Sequence, residues 1–513
     1  MAKGKIKIER PGSYVFRSRN NNGGSRFTLD GRKLIDFDGV HDGGWQPSED
    51  VEIQLEPGVY PFTFEYFRAY AKPGEQGDHW WGVMKWKPAG ADKFDNISTA
   101  SLIYDANDLT DDTEEMFPVY EGPKVPGDKL PLAEVHPSFD LRQARPDDFQ
   151  PRVAGMDFLS DGRMVISTWD SLGAVYILSN LDQPDHNKIE VKRIAQGFAE
   201  PLGLKVVEDT IYVLQKQELT KLIDNNSDDV IDEYLNVCNG WKVSANFHEF
   251  AFGLVYKDGF FYAALATAIN PGGASTQPQI PDRGKVVKID PKTGSHEFIA
   301  TGLRTPNGMG IGVDGEIFNC DNQGDWLPSS KVVHVRKGAY FGSRSVDFEG
   351  TADLEEAPPV VWMPQDEIGN SPAQIGLLNI GPYKNNLIVG EVTHGGVKRV
   401  HVEKIDGQYQ GALFRFTQGI EAGVNRLVWG PDGALYVGGI GVNGNWGHYV
   451  DGKMGEFALQ KLSYNKNATF EMLAVRAHSD GVELEFTEPI EEGAGVTADS
   501  YEIKQWWYKP TEN

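Results

Sequence analysis

One hairpin signature recurs six times along the chain, and it limits the kinds of core that can form. Short strands follow tight turns at SDGRMVIS (160–167), EDTIYVLQ (208–215), KDGFFYAA (257–264), VDGEIFNC (313–320), KNNLIVGE (384–391) and PDGALYVG (431–438). Four of these turns carry Asp-Gly, which suits the positive φ of a two-residue β-turn. An apolar strand precedes each turn, as in AGMDFL (154–159), FAFGLVY (250–256) and NRLVWG (425–430). A third strand follows, as in AVYILS (174–179), KVVKID (285–290) and FALQKLSY (457–464). No single repeat can cover both of its faces, so each must be covered by its neighbours. Six such units predict an all-β, six-bladed β-propeller over 151–465, with a stacked β-sandwich as the alternative.

The texture differs on either side. Residues 1–120 are rich in aromatics and glycine and predict an N-terminal β-sandwich domain. Residues 121–150 are rich in proline and charge and read as a linker lying on the propeller. Residues 466–513 alternate as a partial C-terminal sandwich segment. Length fits this division: 513 residues suggest several domains at about 100–200 residues each.

A net charge of −25 disfavours nonspecific binding to nucleic acid or anionic lipid. No run of about 18 apolar residues is present, so no membrane span is expected. The opening MAKGKIKIERPG lacks an apolar signal region, which a trimmed N-terminus would also show. Cys238 and Cys320 read as two buried thiols, with one disulfide as the alternative.

The loops entering the innermost strands meet at one mouth of a propeller channel. They offer Gln150 and Arg152, Glu200 and Pro201, Asn246 with His248 and Glu249, Arg304 and Asn307, Asn370 and Ser371, and Asn425 with Arg426. One histidine among amides and arginines suits an anionic or sugar-like ligand, with the imidazole moving a proton. Loops leaving the second strands share that face and bring Trp169, Trp326 and Trp446, whose rings suit sugar faces or a planar cofactor. Two calcium sites are expected. One is the oxygen-rich CDNQGDWLP turn (320–328) with Gly324 and Asp325. The other is DNNSDDVID (224–232), where Asp224, Asn226, Asp228, the Val230 carbonyl and Asp232 fall at loop positions 1, 3, 5, 7 and 9. An acidic surface turn is the plainer alternative for the second.

NFHEFAFGLVYKDG (246–259), GLRTPNGMGIGVDGEIFNCDNQGD (302–325) and NRLVWGPDGALYVGG (425–439) give residues 150–465 a resemblance to the glucose/sorbosone dehydrogenase family. The chain looks most like the large multidomain members of environmental bacteria. The resemblance implies pyrroloquinoline quinone and calcium in the central cleft, with His248 as general base and Arg304 and Arg426 on the quinone. It also implies calcium on the Gln323-Gly324-Asp325 turn, and Asn307 and Trp326 beside the cofactor. Glu249, Asn246, Asn425, Trp169 and Trp446 would then meet a carbohydrate substrate. The departures are His248-Glu249-Phe250-Ala251-Phe252 for H-x-G-G-R, Thr305 for asparagine and Asp325 for proline.

GSRFTLDGRKLIDFDGVHDGG (24–44) with VEIQLEPGVYPFTFEYF (51–67) resembles a protective-antigen-type (PA-fourteen) β-domain. It would be an accessory module in which Asp36, Asp38, His41 and Asp42 are candidate glycan contacts. The last 48 residues resemble the start of an immunoglobulin- or fibronectin-like sandwich, too short to complete one of about 100 residues. The leading expectation is a secreted or periplasmic sugar or sugar-alcohol oxidoreductase with an unspecified electron acceptor. The alternatives are a quinone-independent hydrolase or lyase using His248 and Glu249, and a non-catalytic glycan-binding protein.

Overall fold

The structure is a computed structural model. It describes residues 2–21, 23–37, 45–68, 83–97, 101–103, 134–365, 367–442, 446–450, 453–493, 495–497, 500–501 and 503–511. The chain divides into two compact units, Met1–Val125 and Pro126–Asn513.

The larger unit carries six four-stranded antiparallel sheets. Blade 1 runs Val153–Phe158, Met164–Thr168, Val175–Ser179 and Glu190–Ala195, and each Asp-Gly or related turn links the first strand to the second. Blades 2 to 5 repeat the pattern from Gly203, Ala251, Gly308 and Pro372. Blade 6 has Gly423–Trp429, Leu435–Ile440 and Phe457–Tyr464 as its consecutive strands. Its fourth strand is Phe139–Gln143, which pairs antiparallel with Phe457–Tyr464 in the register Phe139↔Tyr464. The sequence alone assigns that segment to the linker. It instead closes the ring by supplying the outer strand of the last blade.

The cores lie between blades, as the repeat requires. Val165 and Ile177 of blade 1 pack with Leu204 and Val213 of blade 2. Val286 and Ala300 of blade 3 pack with Ile317 and Val333 of blade 4. Leu378 and Ile388 of blade 5 pack with Leu427 and Val437 of blade 6. Each such Val, Leu or Ile side chain contributes about 1.5–3 kcal/mol on burial. Near the axis the inner strands come so close that side chains do not fit. A Cβ on Gly203 would lie 1.8 Å from the Gly253 carbonyl oxygen, and one on Gly310 2.0 Å from that of Ile375.

The C-terminal stretch contributes the hairpin Met472–His478 and Gly481–Phe486. Arg399 of blade 5 donates to the Met472 and Leu473 carbonyls, and His136 and Tyr383 meet Glu471. The hairpin is thus bound to blade 5. Among the described residues no further strand follows it.

The N-terminal unit is a sandwich of two sheets, one built around Ala2–Ile8, Gly23–Leu29 and Gly58–Arg68, the other around Gly12–Asn21 and Val83–Lys87. Ile6, Phe16, Phe27 and Trp86 fill its core. Asp36 is exposed and paired with Arg26 and Lys33, while Asp38, His41 and Asp42 lie outside the described residues. Among the described residues no helix is long and apolar enough to cross a membrane.

Candidate functional site at the channel mouth

The loops that enter the inner strands are held by buried oxygens at the ends of second strands. Asp321 accepts from the Arg304 and Thr305 amides, at 3.1 Å and 2.8 Å. Glu391 does the same for Asn370 and Ser371, and Gln215 for Ala199. Side-chain oxygens therefore replace water for loop amides that burial would otherwise leave unpaired. Burial raises the Asp321 carboxyl to about 7, against the lowering effect of Lys331 and of the two amides. Its native value exceeds its unfolded one of about 3.9, so its contribution is fully present below about pH 4 and is lost as pH rises toward 7. Asp321→Asn is expected to remove that downward slope between pH 4 and 7, read from denaturant midpoints across the range.

His248 is 1 % exposed, in the turn that enters the blade 3 inner strand Ala251–Lys257. Its Nδ1 lies 2.7 Å from the Thr267 carbonyl oxygen, and its Nε2 lies 3.1 Å from Thr305 Oγ1. A carbonyl only accepts, so Nδ1 carries the proton and Nε2 presents its lone pair. Burial pulls the imidazole down to about 3; the Thr267 carbonyl opposes this, and Arg304, Arg283 and Lys216 reinforce it. His248 is therefore neutral across the physiological range. Asn246 orders the turn, its Oδ1 accepting from the His248 amide at 2.9 Å and its Nδ2 donating to the Ile269 carbonyl.

Arg304 is joined to His248 through Thr305. Its Nη1 donates to Thr305 Oγ1 at 3.1 Å and its Nη2 to the Gly273 carbonyl at 2.5 Å, leaving Nε buried without a partner. Its guanidinium lies over Gly324, where a Cβ would stand 1.9 Å from Nε.

Arg426 occupies a different environment. It is 2 % exposed. Nε donates to the Ala154 carbonyl at 2.6 Å and Nη2 to the Leu202 carbonyl at 2.6 Å. Nη1 donates to the Asn425 carbonyl at 2.7 Å and the Asn307 carbonyl at 3.1 Å, and meets both side-chain oxygens. Burial with no carboxylate beside it pulls the guanidinium down to about 9, still charged at neutral pH. Asn425 and Asn307 belong to the same cluster, with Asn425 Nδ2 on the Val153 carbonyl. These three residues tie blades 1, 2, 4 and 6 together instead of lining an accessible surface.

Trp446 is brought against His248, and Trp169 against Trp446. The Trp446 ring is 5.7 Å from the imidazole and 5.7 Å from Trp169, with Phe250 packed against all three. Trp326 is in another group. It packs on Phe348 and Arg344, and its amide donates to the Thr511 carbonyl at 2.8 Å. Glu249 is 1 % exposed, and its carboxylate accepts from the Ser244 amide. It lies within electrostatic reach of Arg283, which is 0 % exposed and whose positive charge the Glu249 carboxylate favours. Arg283 donates to the Ala266 and Phe250 carbonyls and leaves Nη1 unpaired. Its PDRGK context carries no signal of this role.

The expected calcium-binding side chains largely accept from backbone amides. Asp224 Oδ1 accepts from the Asn226, Ser227 and Asp228 amides and Oδ2 from that of Asp229. Asp228 Oδ1 accepts from the Val230 amide and Asp232 Oδ2 from the Asn225 amide. This is an acidic turn closed on its own backbone, with Arg163 on Asp229. The Gly324 carbonyl accepts from the Leu327 amide, and Asp325 from the Ser275 amide. Among the described residues no group of three or more His, Cys, Asp or Glu side chains is placed to hold a metal. Cys238 and Cys320 are buried free thiols.

The quinone implied by the resemblance needs two guanidinium groups free for its carboxylates. The residues present do not fit it in that form. Arg426 is saturated by carbonyls, and Arg304 is spent on Thr305 and Gly273 apart from an enclosed Nε.

Fold and site together define a six-bladed β-propeller protein with a neutral, tautomer-fixed histidine beside two tryptophans at its mouth. A family model described as a domain of unknown function, DUF7133, matches residues 154–361. No curated protein matches the chain. Among solved structures, the chain is similar to an oxidoreductase described as a glucose dehydrogenase from Thermus thermophilus. That pair shares 18 % identity and a TM-score of 0.48, covering 63 % of this chain and 100 % of the other. The PQQ-bound aldose sugar dehydrogenase of Streptomyces coelicolor shows 13 % identity, a TM-score of 0.46, and coverage of 64 % and 100 %. A Family AA12 carbohydrate-active enzyme of Trichoderma reesei shows 14 %, 0.47, and coverage of 66 % and 98 %.

Proposed function

We propose that the chain is a carbohydrate oxidoreductase in which His248 takes the proton from a substrate hydroxyl. The observation that carries this reading is the fixed tautomer: Nδ1–H on the Thr267 carbonyl leaves Nε2 as the only basic position, which a substrate reaches only by taking the place of the Thr305 hydroxyl. The imidazole is neutral at pH 7, and the burial that lowers it to about 3 also weakens it as a base. Trp169 and Trp446 supply apolar faces suited to a pyranose ring. Pyrroloquinoline quinone with calcium is the acceptor the resemblance implies, and it would have to be held by groups other than the Arg304 and Arg426 guanidiniums as they stand. On the same reading the N-terminal sandwich is an accessory glycan-binding unit, and the setting is secreted or periplasmic.

The test is dye reduction over a panel of aldoses and sugar alcohols, with and without added quinone and calcium. Reduction that requires both additions assigns the quinone. Reduction indifferent to them assigns another redox group. Absence of reduction with every sugar overturns the reading. New reducing ends or an ultraviolet-absorbing unsaturated product without an acceptor would replace it by hydrolysis or elimination, and binding without turnover by a glycan-binding role.

A further inference from the structure

The hydroxyl of Thr305 stands between the two nominated functional side chains, and the direction of every bond around it follows by elimination. Arg304 Nη1 has no lone pair, so at 3.1 Å it donates and Thr305 Oγ1 accepts. The Thr305 hydroxyl proton is then left for His248 Nε2, also at 3.1 Å. Nε2 must accept, because Nδ1–H is committed to the Thr267 carbonyl. The line closes on itself: the Thr267 amide and hydroxyl both donate to the Arg304 carbonyl, at 2.9 Å and 3.3 Å. Thr305 is 2 % exposed and its amide is held by Asp321, so its backbone is fixed and only a turn about χ1 frees Nε2 for a substrate.

We propose that Thr305 is the positioning residue of the His248 base, its hydroxyl holding the imidazole lone pair and the Arg304 guanidinium in one hydrogen-bonded line. The inference deepens the proposed function and rests on that reading for its catalytic meaning. The line itself stands on geometry alone. It has a sign. A hydrogen bond donated to Nε2 exists only while the imidazole is neutral, so it opposes protonation. Charged groups around the ring are Arg304, Arg283 and Lys216, all cations, and they act in the same sense. Glu249 is next in the chain, with its carboxylate on the Ser244 amide; Trp446, Phe247 and Phe250 complete the surroundings without charge.

The full chain labelled with 15N-histidine gives the test, with the His248 signals among the 11 histidines identified by their loss in His248→Gln. In the unmodified protein near neutral pH, Nδ1 is expected to carry the proton and Nε2 to show the shift of a hydrogen-bonded lone pair. Thr305→Val is expected to move Nε2 toward the free lone-pair position. It should raise the protonation midpoint by about one pH unit, a roughly tenfold change in the proton's binding constant. Thr305→Ser is expected to restore both. A proton on Nε2 in the unmodified protein overturns the proposal, as does a Thr305→Val spectrum and midpoint equal to the original. Should Thr305→Val fail to fold, Thr305→Ala and the original tautomer decide in the same way. If no sugar is oxidised while these shifts appear, the functional reading falls and the positioning role of Thr305 stands.

Discussion

Arg426→Met is expected to lower the stability of the propeller by at least about 4 kcal/mol, seen as a lower denaturant midpoint. The native guanidinium serves the carbonyls of Ala154, Leu202, Asn307 and Asn425, all buried around the axis. An apolar replacement leaves these acceptors without partners, and each unmade bond costs about 1–3 kcal/mol. Arg426→Lys is expected to fall between, because an ammonium has only three donors and no planar fork. The pair of variants also separates two roles for Arg426. A quinone contact would lose cofactor affinity in folded Arg426→Lys. An axial tie loses stability while whatever affinity exists is retained. An unchanged midpoint for Arg426→Met would remove the axial assignment.

His248→Gln is expected to reduce sugar oxidation by about 10²–10⁴-fold with the fold retained, the range for loss of a positioned general base. Glutamine cannot take the proton. The pH behaviour gives a second readout. The native imidazole is depressed to about 3, below its unfolded value of about 6.5. Between these values the unfolded chain binds the proton and the native one does not. Stability is therefore expected to fall as pH drops below 6.5, by about 1.4 kcal/mol per pH unit from this group. His248→Gln should remove that component, opposite in sign to the effect of Asp321→Asn. The activity profile should show no histidine limb near pH 6.5. Full activity in His248→Gln would end the role assigned to this residue.

The blades were legible because their signals are local. Asp161-Gly162, Asp258-Gly259, Asp314-Gly315 and Asp432-Gly433 mark turns between strands of one hairpin. The closing strand was not legible. Phe139–Gln143 sits in a proline- and charge-rich stretch, and its partner Phe457–Tyr464 lies more than three hundred residues on. The gathering of His248, Arg304, Trp169 and Trp446 was likewise legible from their equivalent places in the repeat. Their states were not. Sequence places Arg304 and Arg426 in matching loops of blades 4 and 6, yet Arg304 lies in the loop before Gly308 and borders His248 through Thr305, while Arg426 lies within the strand Gly423–Trp429, enclosed by carbonyls.

The amino-acid sequence alone determined six sheets, their turns and the loops that converge on one mouth, since turn chemistry and strand periodicity act over a few neighbouring residues. The tertiary structure alone decided which polar groups are already spent. The partners of Arg426 lie 224 and 272 residues away at Leu202 and Ala154, and those of His248 lie 19 and 57 residues away at Thr267 and Thr305. Hydrogen-bond saturation and burial depend on such distant neighbours, which no local pattern of turns or strand periodicity reports.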